Sequence, residues 1–216
     1  MSVMRCLPNM NVPESQIEPL LLTLPTALTG TQASLHAYTD ADAAALRDCV
    51  LASREHLAPW MPWVKDWDDP LQGERYVRKM QAQWIKREDF VFIIRDRATG
   101  AFAGACGLHE PDWSVPKLMI GYWISPAFQG KGLVTEATRL LVQFGFEHLQ
   151  AQRLSITCDA ANVRSANVPA RAGFTQEAYI RNERRNAAGE LSDTLLFGLT
   201  REDWLALRAA GSSEVL

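Results

Sequence analysis

The sequence predicts one domain of the α/β (α+β) class, a mixed sheet with helices on both faces. Three observations carry this. Short apolar or alternating runs recur between Ala33 and Leu199, as strands require. Segments starting near Asp40, Asp69 and Leu133 instead space their apolar residues as helices do. The resulting order is strand, helix, helix, a run of strands, helix, strand, helix and two strands, with no internal repeat. A chain of 216 residues with 47% hydrophobic content suits a single core.

The elements follow in chain order. Residues 1–18 lack periodicity and read as a flexible arm; residues 19–209 read as the domain and 210–216 as a tail. Leu20 to Leu24 is expected as a short edge strand ended by Pro25, and Ala33 to Tyr38 as the next strand. Asp40 is expected to cap a helix whose apolar face carries Ala41, Ala44, Ala45, Leu46 and Val50. Pro59 and Pro62 interrupt the following segment, so Trp60 and Trp63 fall on a loop. Asp69-Pro70 restarts a helix, with Asp as cap and Pro in the first turn, running to about Arg87.

Phe90 to Ile94 is continuously apolar, as a strand covered on both faces would be. The turn Ala98-Thr-Gly100 joins it to a strand from Phe102 to Leu108, and Leu118 to Ile124 is a further strand. Leu133, Ala137, Leu140, Leu141 and Phe144 then repeat at helical spacing. Leu154, Ile156 and Cys158 alternate on a strand, and a short helix from about Arg164 to Ala172 stops at Gly173. Strands near Gln176–Arg181 and Thr194–Leu199 flank the turn Asn186–Gly189, and Glu202 to Arg208 ends the chain as a helix or a frayed end.

Composition excludes some functions. A net charge of −3 argues against nucleic-acid binding by broad positive charge. Cys6, Cys49, Cys106 and Cys158 form no C-x-x-C pair, so free thiols in a reducing cytoplasm fit better than a metal site or a disulfide framework. Leu20-Leu21-Leu22 lies between prolines and is too short for a signal sequence, and no apolar run approaches bilayer length, so no membrane role is expected.

The stretch Gln129-Gly130-Lys131-Gly132-Leu133-Val134 lies between a strand and a helix. Its glycines permit close backbone approach, and the first helix amides favour a phosphate. It lacks the spacing of a nucleoside-triphosphate loop and of a dinucleotide fingerprint. An ordinary glycine-rich connection is the competing reading.

Following Ile-Gly-Tyr-Trp-Ile-Ser-Pro, this loop resembles the acyl-CoA pyrophosphate loop of the GNAT acetyltransferases, Q/R-x-x-G-x-G/A. Gln129 and Gly132 fit, whereas Val134 departs from the final Gly or Ala. His56 to Trp63 resembles the Trp-Pro loop of the RimJ/RimL branch. Asn162-Val-Arg-Ser165 followed by Arg171-Ala-Gly-Phe174 resembles its N-x-x-S…R-x-G-F, and Gly189 and Asp193 fit its closing hairpin. The resemblance covers roughly residues 20–205. It implies a single domain with a mostly antiparallel sheet of about seven strands and a splayed central pair, Leu118–Ile124 with Leu154–Cys158. It also implies an acetyl-CoA-dependent N-acetyltransferase, with acetyl-CoA as co-substrate, no metal, and in many relatives a homodimer. The alternative is a silent GNAT fold that binds CoA or a partner without turnover.

The resemblance also implies roles for residues. Backbone amides of Gln129, Gly130, Lys131, Gly132, Leu133, Val134 and Thr135 hold the pyrophosphate. An amide of Ile124 or Ser125 polarises the thioester carbonyl, as charge development there requires. Asn162 contacts the pantetheine amide, or is only a turn residue. Ser165 serves the departing thiolate, or only caps a helix. An amine attacks directly and must be neutral. At pH 7 roughly a tenth of α-amines are neutral, against under a thousandth of lysines. Glu183 is the first candidate base, against a merely solvated glutamate; His109 and Glu110 are the runners-up, placed just past a strand end. Met119 stands where the family often has a Glu, so that strand offers no base. Trp60 and Trp63 wall the acceptor pocket or plug a hydrophobic gap. The acceptor is a protein N-terminus or a small primary amine.

Overall fold

The computed structural model describes residues 17–211. Most of the expected arm, all of the tail beyond 211, and Cys6 lie outside the described residues. The strands are β1 (Ala27–Thr29), β2 (Ala33–Ala37), β3 (Phe90–Asp96), β4 (Phe102–Asp112), β5 (Lys117–Ile124), β6 (Arg153–Asp159), β7 (Thr175–Arg185) and β8 (Leu191–Thr200). The helices are α1 (Ala43–Ala52), the single turn α2 (Arg54–Leu57), α3 (Gln72–Lys86), α4 (Leu133–Glu147), α5 (Val163–Arg171) and α6 (Arg201–Ala209).

All eight strands form one sheet in the order β1-β2-β3-β4-β5-β6-β8-β7. Every neighbouring pair is antiparallel except β5–β6. Phe90, Phe92, Ile94, Leu108, Leu154, Ile156, Phe197 and Leu199 face α4, whose Leu133, Ala137, Leu141 and Phe144 are fully buried or nearly so. Val91, Ile93, Ala105 and Trp123 face Leu46 and Val50 of α1 and Val77 and Met80 of α3. Alternate side chains of β3 thus feed two cores, which explains its unbroken apolar run.

The parallel pair positions the site. Register holds only for Lys117–Arg153, Leu118–Leu154 and Met119–Ser155. Beyond them, 120–124 of β5 and 156–159 of β6 run on unpaired with each other. The expected splayed pair is therefore present, and Thr157 Oγ1 donates to Met119 Sδ at its root (3.5 Å). Because the strands are parallel, both open at the same end, where the chain passes into α4 and α5. The N-termini of both helices border the gap.

Several expectations need correction. Leu20–Leu24 is not a strand: Pro19–Leu21 forms a 3₁₀ turn with proline in its first position, and the edge strand starts at Ala27, beyond Pro25. Asp40 is not the cap. Thr39 and Asp42 close a capping box around a 3₁₀ turn, and α1 begins at Ala43. That turn changes the phase, so Ala43, Leu46 and Val50 are buried while Ala41, Ala44 and Ala45 are exposed. Asp42 is buried instead, because its carboxylate accepts from Thr39 and from Arg95 Nη2 (2.7 Å). Trp63 lies in a 3₁₀ helix, Pro62–Asp68, rather than on a loop. Asp69 accepts from Leu71 N (2.9 Å), and regular helix begins at Gln72. His109 and Glu110 are not past a strand end: β4 continues through a bulge to Asp112, which pairs with Lys117. The last helix is capped by Thr200 and Asp203 rather than frayed.

Candidate active site

The loop after β5 carries two glycines in the left-handed region, Gly130 (φ 74°) and Gly132 (φ 76°), where a Cβ is disfavoured. Gly132 caps α4, and the first loop-to-helix bond is Glu136 N to Gly132 O (3.0 Å). The amides of Gly130, Lys131, Gly132, Leu133, Val134 and Thr135 have no acceptor among the described residues. Six free donors ahead of a helix dipole make an anion cradle. Lys131 Nζ lies over the Phe128 ring, 4.7 Å from its centroid. Gln129 differs from its neighbours: its Oε1 accepts from Arg164 Nη1 (2.9 Å), so its amide nitrogen faces and donates to His56 Nε2. It ties α2, the loop and α5 together. Burial, then the Arg164 charge, lower the pKa of His56, consistent with a neutral, accepting ring.

Glu136 fixes where α4 begins. Its carboxylate accepts the amides of Thr31 (2.5 Å), Gln32 (2.8 Å) and Ala33 (2.6 Å), in the β1–β2 turn. A Cβ on Gly30 would come within 2.7 Å of that carboxyl carbon.

Of the two amides expected at the carbonyl, that of Ser125 is occupied: it donates to Ala103 O on β4 (2.8 Å). Strand alternation turns the Ile124 amide the other way, into the gap.

Across the gap, Asn162 is the cap of α5, with its Oδ1 accepting from Ser165 N (3.1 Å). Ser165 is therefore not the cap. Its hydroxyl donates to Tyr122 OH (3.3 Å), and that phenol donates to Ser165 O (3.0 Å). Burial pushes the Tyr122 phenol far above its usual pKa, so it stays protonated. Burial likewise raises the Cys158 thiol, against the opposing influence of the nearby Ser165 hydroxyl and Arg184 charge.

These groups border a cavity of about 160 Å³ that also takes in Trp60, Gly121, Thr157, Asp159 and Arg184. A larger groove of about 510 Å³, between Asp40–Asp48 and Pro70–Arg78, contains none of them and lies away from the gap. Trp63 does not line the smaller cavity; it packs on Trp67 (5.9 Å) and Trp123 (6.3 Å), the plug arrangement. Glu183 is exposed and its Oε2 accepts from Thr194 Oγ1 (3.2 Å). A bulge at Asn182 (φ 54°) aims it there, and Asp193 holds that bulge by accepting from Asn182 N (2.8 Å) and Tyr179 OH. The Tyr179 bond chiefly, and the Asn182 amide after it, hold the Asp193 carboxyl below its usual pKa. Glu110 is exposed at the β4 bulge (φ 52°). His109 Nδ1 stands 2.7 Å from Asp89 Oδ1.

Sequence reasoning missed Tyr122, Thr194 and Asp89. Tyr122 left a signal, as the one hydroxyl on the face of β5 shared with Leu118 and Ile120. The others are brought in by pairings that no local pattern encodes.

The family model described as acetyltransferase (GNAT) domain matches residues 33–175. The chain is 28% identical over 167 residues to a Bacillus subtilis protein named "Putative ribosomal N-acetyltransferase YdaF", covering 76% of this chain and 88% of that one. It is 27% identical over 180 residues to the ribosomal protein uS5-alanine N-acetyltransferase of Escherichia coli, with 76% and 86% covered. Among solved structures, Mycobacterium smegmatis RimJ in complex with CoA-disulfide superposes with a TM-score of 0.69 at 24% identity, covering 83% of this chain and 89% of that one. At that identity the likeness speaks for the fold.

Proposed function

This chain belongs to the GNAT acetyltransferase family, and from that premise we propose that it uses acetyl-CoA to acetylate the α-amine at a protein N-terminus. One observation carries the acceptor class. Exposed Arg184 lines the cavity, and its guanidinium has no ion-pair partner among the described residues. The cavity's one carboxylate, Asp159, already accepts from Ser192 Oγ (2.6 Å) and Ala161 N (2.9 Å). A polyamine needs free carboxylates and would meet like charge here. A peptide N-terminus brings one charge, and its carbonyls can accept from Arg184. The names of the two relatives support the same class.

In this reading the pyrophosphate takes the amides of Gly130 to Thr135, and the pantetheine arm fills the gap between β5 and β6. The Ile124 amide donates to the thioester oxygen as negative charge grows there. The Asn162 side-chain nitrogen, which has no partner among the described residues, serves the pantetheine amide. Ser165, backed by Tyr122, steadies the departing sulfur. Trp60 walls the acceptor's entry. Such an acceptor implies a cytoplasmic enzyme. The long exposed edge strand β7, with Tyr179 outward, suits the homodimer expected from the resemblance.

A CoA-release assay tests the acceptor class. Peptides beginning Ala, Ser or Met are expected to exceed spermidine by about tenfold or more in kcat/KM, and Arg184→Glu is expected to narrow that ratio. Spermidine preferred by the wild type would refute the reading.

A further inference from the structure

We propose that His109, oriented by Asp89, takes the proton from the acceptor's ammonium. This rests on the amine-acetylation reading above and names the group that it leaves open.

The argument begins with the sheet. His109 pairs directly with Met119, and Gly107 and Gly121 pair with each other on the same face. A Cβ on Gly121 would lie 3.0 Å from His109 Nε2, and one on Gly107 would lie 3.1 Å from it. The imidazole therefore lies across two glycines, where any larger residue would displace it. Gly121 lines the cavity, so Nε2 lies against one of its walls, just beyond the root of the gap.

The other ring nitrogen is held from outside the strand. Asp89, just before β3, sets Oδ1 2.7 Å from Nδ1. That oxygen is buried, and neither the ring nor any other described group meets it in hydrogen-bond geometry, so what Asp89 gives His109 is a carboxylate charge at close range. A carboxylate oxygen this close to Nδ1 repels a lone pair and favours a hydrogen there, which leaves the Nε2 lone pair free. A carboxylate behind an imidazole also steadies the imidazolium once formed. The His109 side chain is 29% exposed, open enough to pass a proton to water.

Position also favours His109 over Glu183. Glu183 is tied to Thr194, which pairs with Asp159 on the far side of β6 from the gap. Ser165 and Tyr122 belong to the α4/α5 face, whereas His109 shares the α1/α3 face with Trp123. Base and leaving-group donor thus stand on opposite faces of the sheet, as a nucleophile entering from one side requires.

The step balances as follows. The ammonium gives one proton to Nε2, and the imidazolium passes it to water. The neutral nitrogen attacks the thioester carbon, forming the C–N bond. The tetrahedral oxyanion collapses and the C–S bond breaks with its electrons on sulfur. The second nitrogen proton reaches that sulfur through the Ser165 hydroxyl or water. The products are the amide, CoA thiol and one released proton.

The test is a double-mutant cycle on kcat. It uses acetyl-CoA and whichever of the Ala-, Ser- or Met-initiated peptides and spermidine turns over fastest with the wild type. His109→Gln is expected to lower kcat by about 10²–10³-fold, with acetyl-CoA affinity unchanged by calorimetry. Asp89→Asn is expected to lose about 10–100-fold alone but nothing further in the His109→Gln background, because it acts through the ring. His109→Ala is expected to regain activity with added imidazole. Equal losses from Asp89→Asn in both backgrounds, or wild-type kcat in His109→Gln, would overturn the dyad. Turnover of spermidine alone would sink the protein-acceptor reading while the cycle still judged the dyad. No turnover with any amine would sink both.

Discussion

Replacing Glu136 by Gln tests whether one side chain fixes the start of the cofactor helix. The carboxylate accepts three backbone amides of the β1–β2 turn, so its loss is larger than a surface substitution. Hydrogen bonds to charged groups contribute about 1.5–3 kcal/mol each, which sets a ceiling, since the site is partly open to water. Glutamine can keep its oxygen on Gln32 and Ala33, but its NH₂ then confronts the Thr31 amide, donor against donor. One bond is lost and two are weakened, about 2 kcal/mol in all. At about 2–4 °C per kcal/mol for a chain of this size, the midpoint falls by about 4–8 °C. Thermal unfolding by circular dichroism without ligand measures it. Removing a favourable charge from the helix start alone would cost about 0.3–1 kcal/mol, so a drop under about 2 °C would refute the three-amide account. Gly30→Ala supplies a second arm. Its new Cβ would displace the same carboxylate, so the two losses should not add.

Three further outcomes are expected. Gly132→Ala places a Cβ on a left-handed residue at about 1–2 kcal/mol; acetyl-CoA affinity by calorimetry should weaken about 5–30-fold, and an unchanged affinity would remove that glycine from the cradle. Tyr122→Phe deletes the hydroxyl bridging both oxygens of Ser165, so kcat should fall about tenfold or more with acetyl-CoA affinity nearly unchanged; parallel loss of both would assign Tyr122 to folding alone. His56 has a folded pKa below its unfolded value of about 6.5. Its contribution is therefore complete above that value and lost as pH falls through the folded one. Wild-type stability between pH 8 and 5 should thus decline more than that of His56→Gln, and equal declines would show that the Gln129 bond contributes nothing.

Much of this was legible in the chain because it is local. The glycine loop, the helix after it and the N-x-x-S segment are contiguous, so spacing alone places them. The two-sided burial of β3 followed from its unbroken apolar run. The failures have physical causes. A 3₁₀ turn before α1 shifts the helical phase by a fraction of a turn, which exchanges Ala44 and Ala45 for Ala43 on the buried face. The choice between the Ile124 and Ser125 amides depends on which edge of β5 meets β4, and one strand's sequence does not say. Asp89 and His109 stand twenty positions apart and meet only because the β3–β4 hairpin has that register. Tyr122 and Ser165 are separated by 43 positions and need the whole β5–α4–β6–α5 unit.

The three residue pairs that join β5 to β6 have a consequence for how the sheet holds together. In hydrogen-bonding terms it is two plates, β1 to β5 and β6 to β8, hinged at Lys117–Met119 and backed by α4. The Ile124 amide lies in mid-sheet by strand order yet should exchange with deuterium as freely as an edge. A molecule lying in the gap would act as the missing strand, splinting the plates and slowing that exchange. The donor would then be a structural member of the domain as well as its substrate, adding to the join that α4 and the shared core already make between the plates.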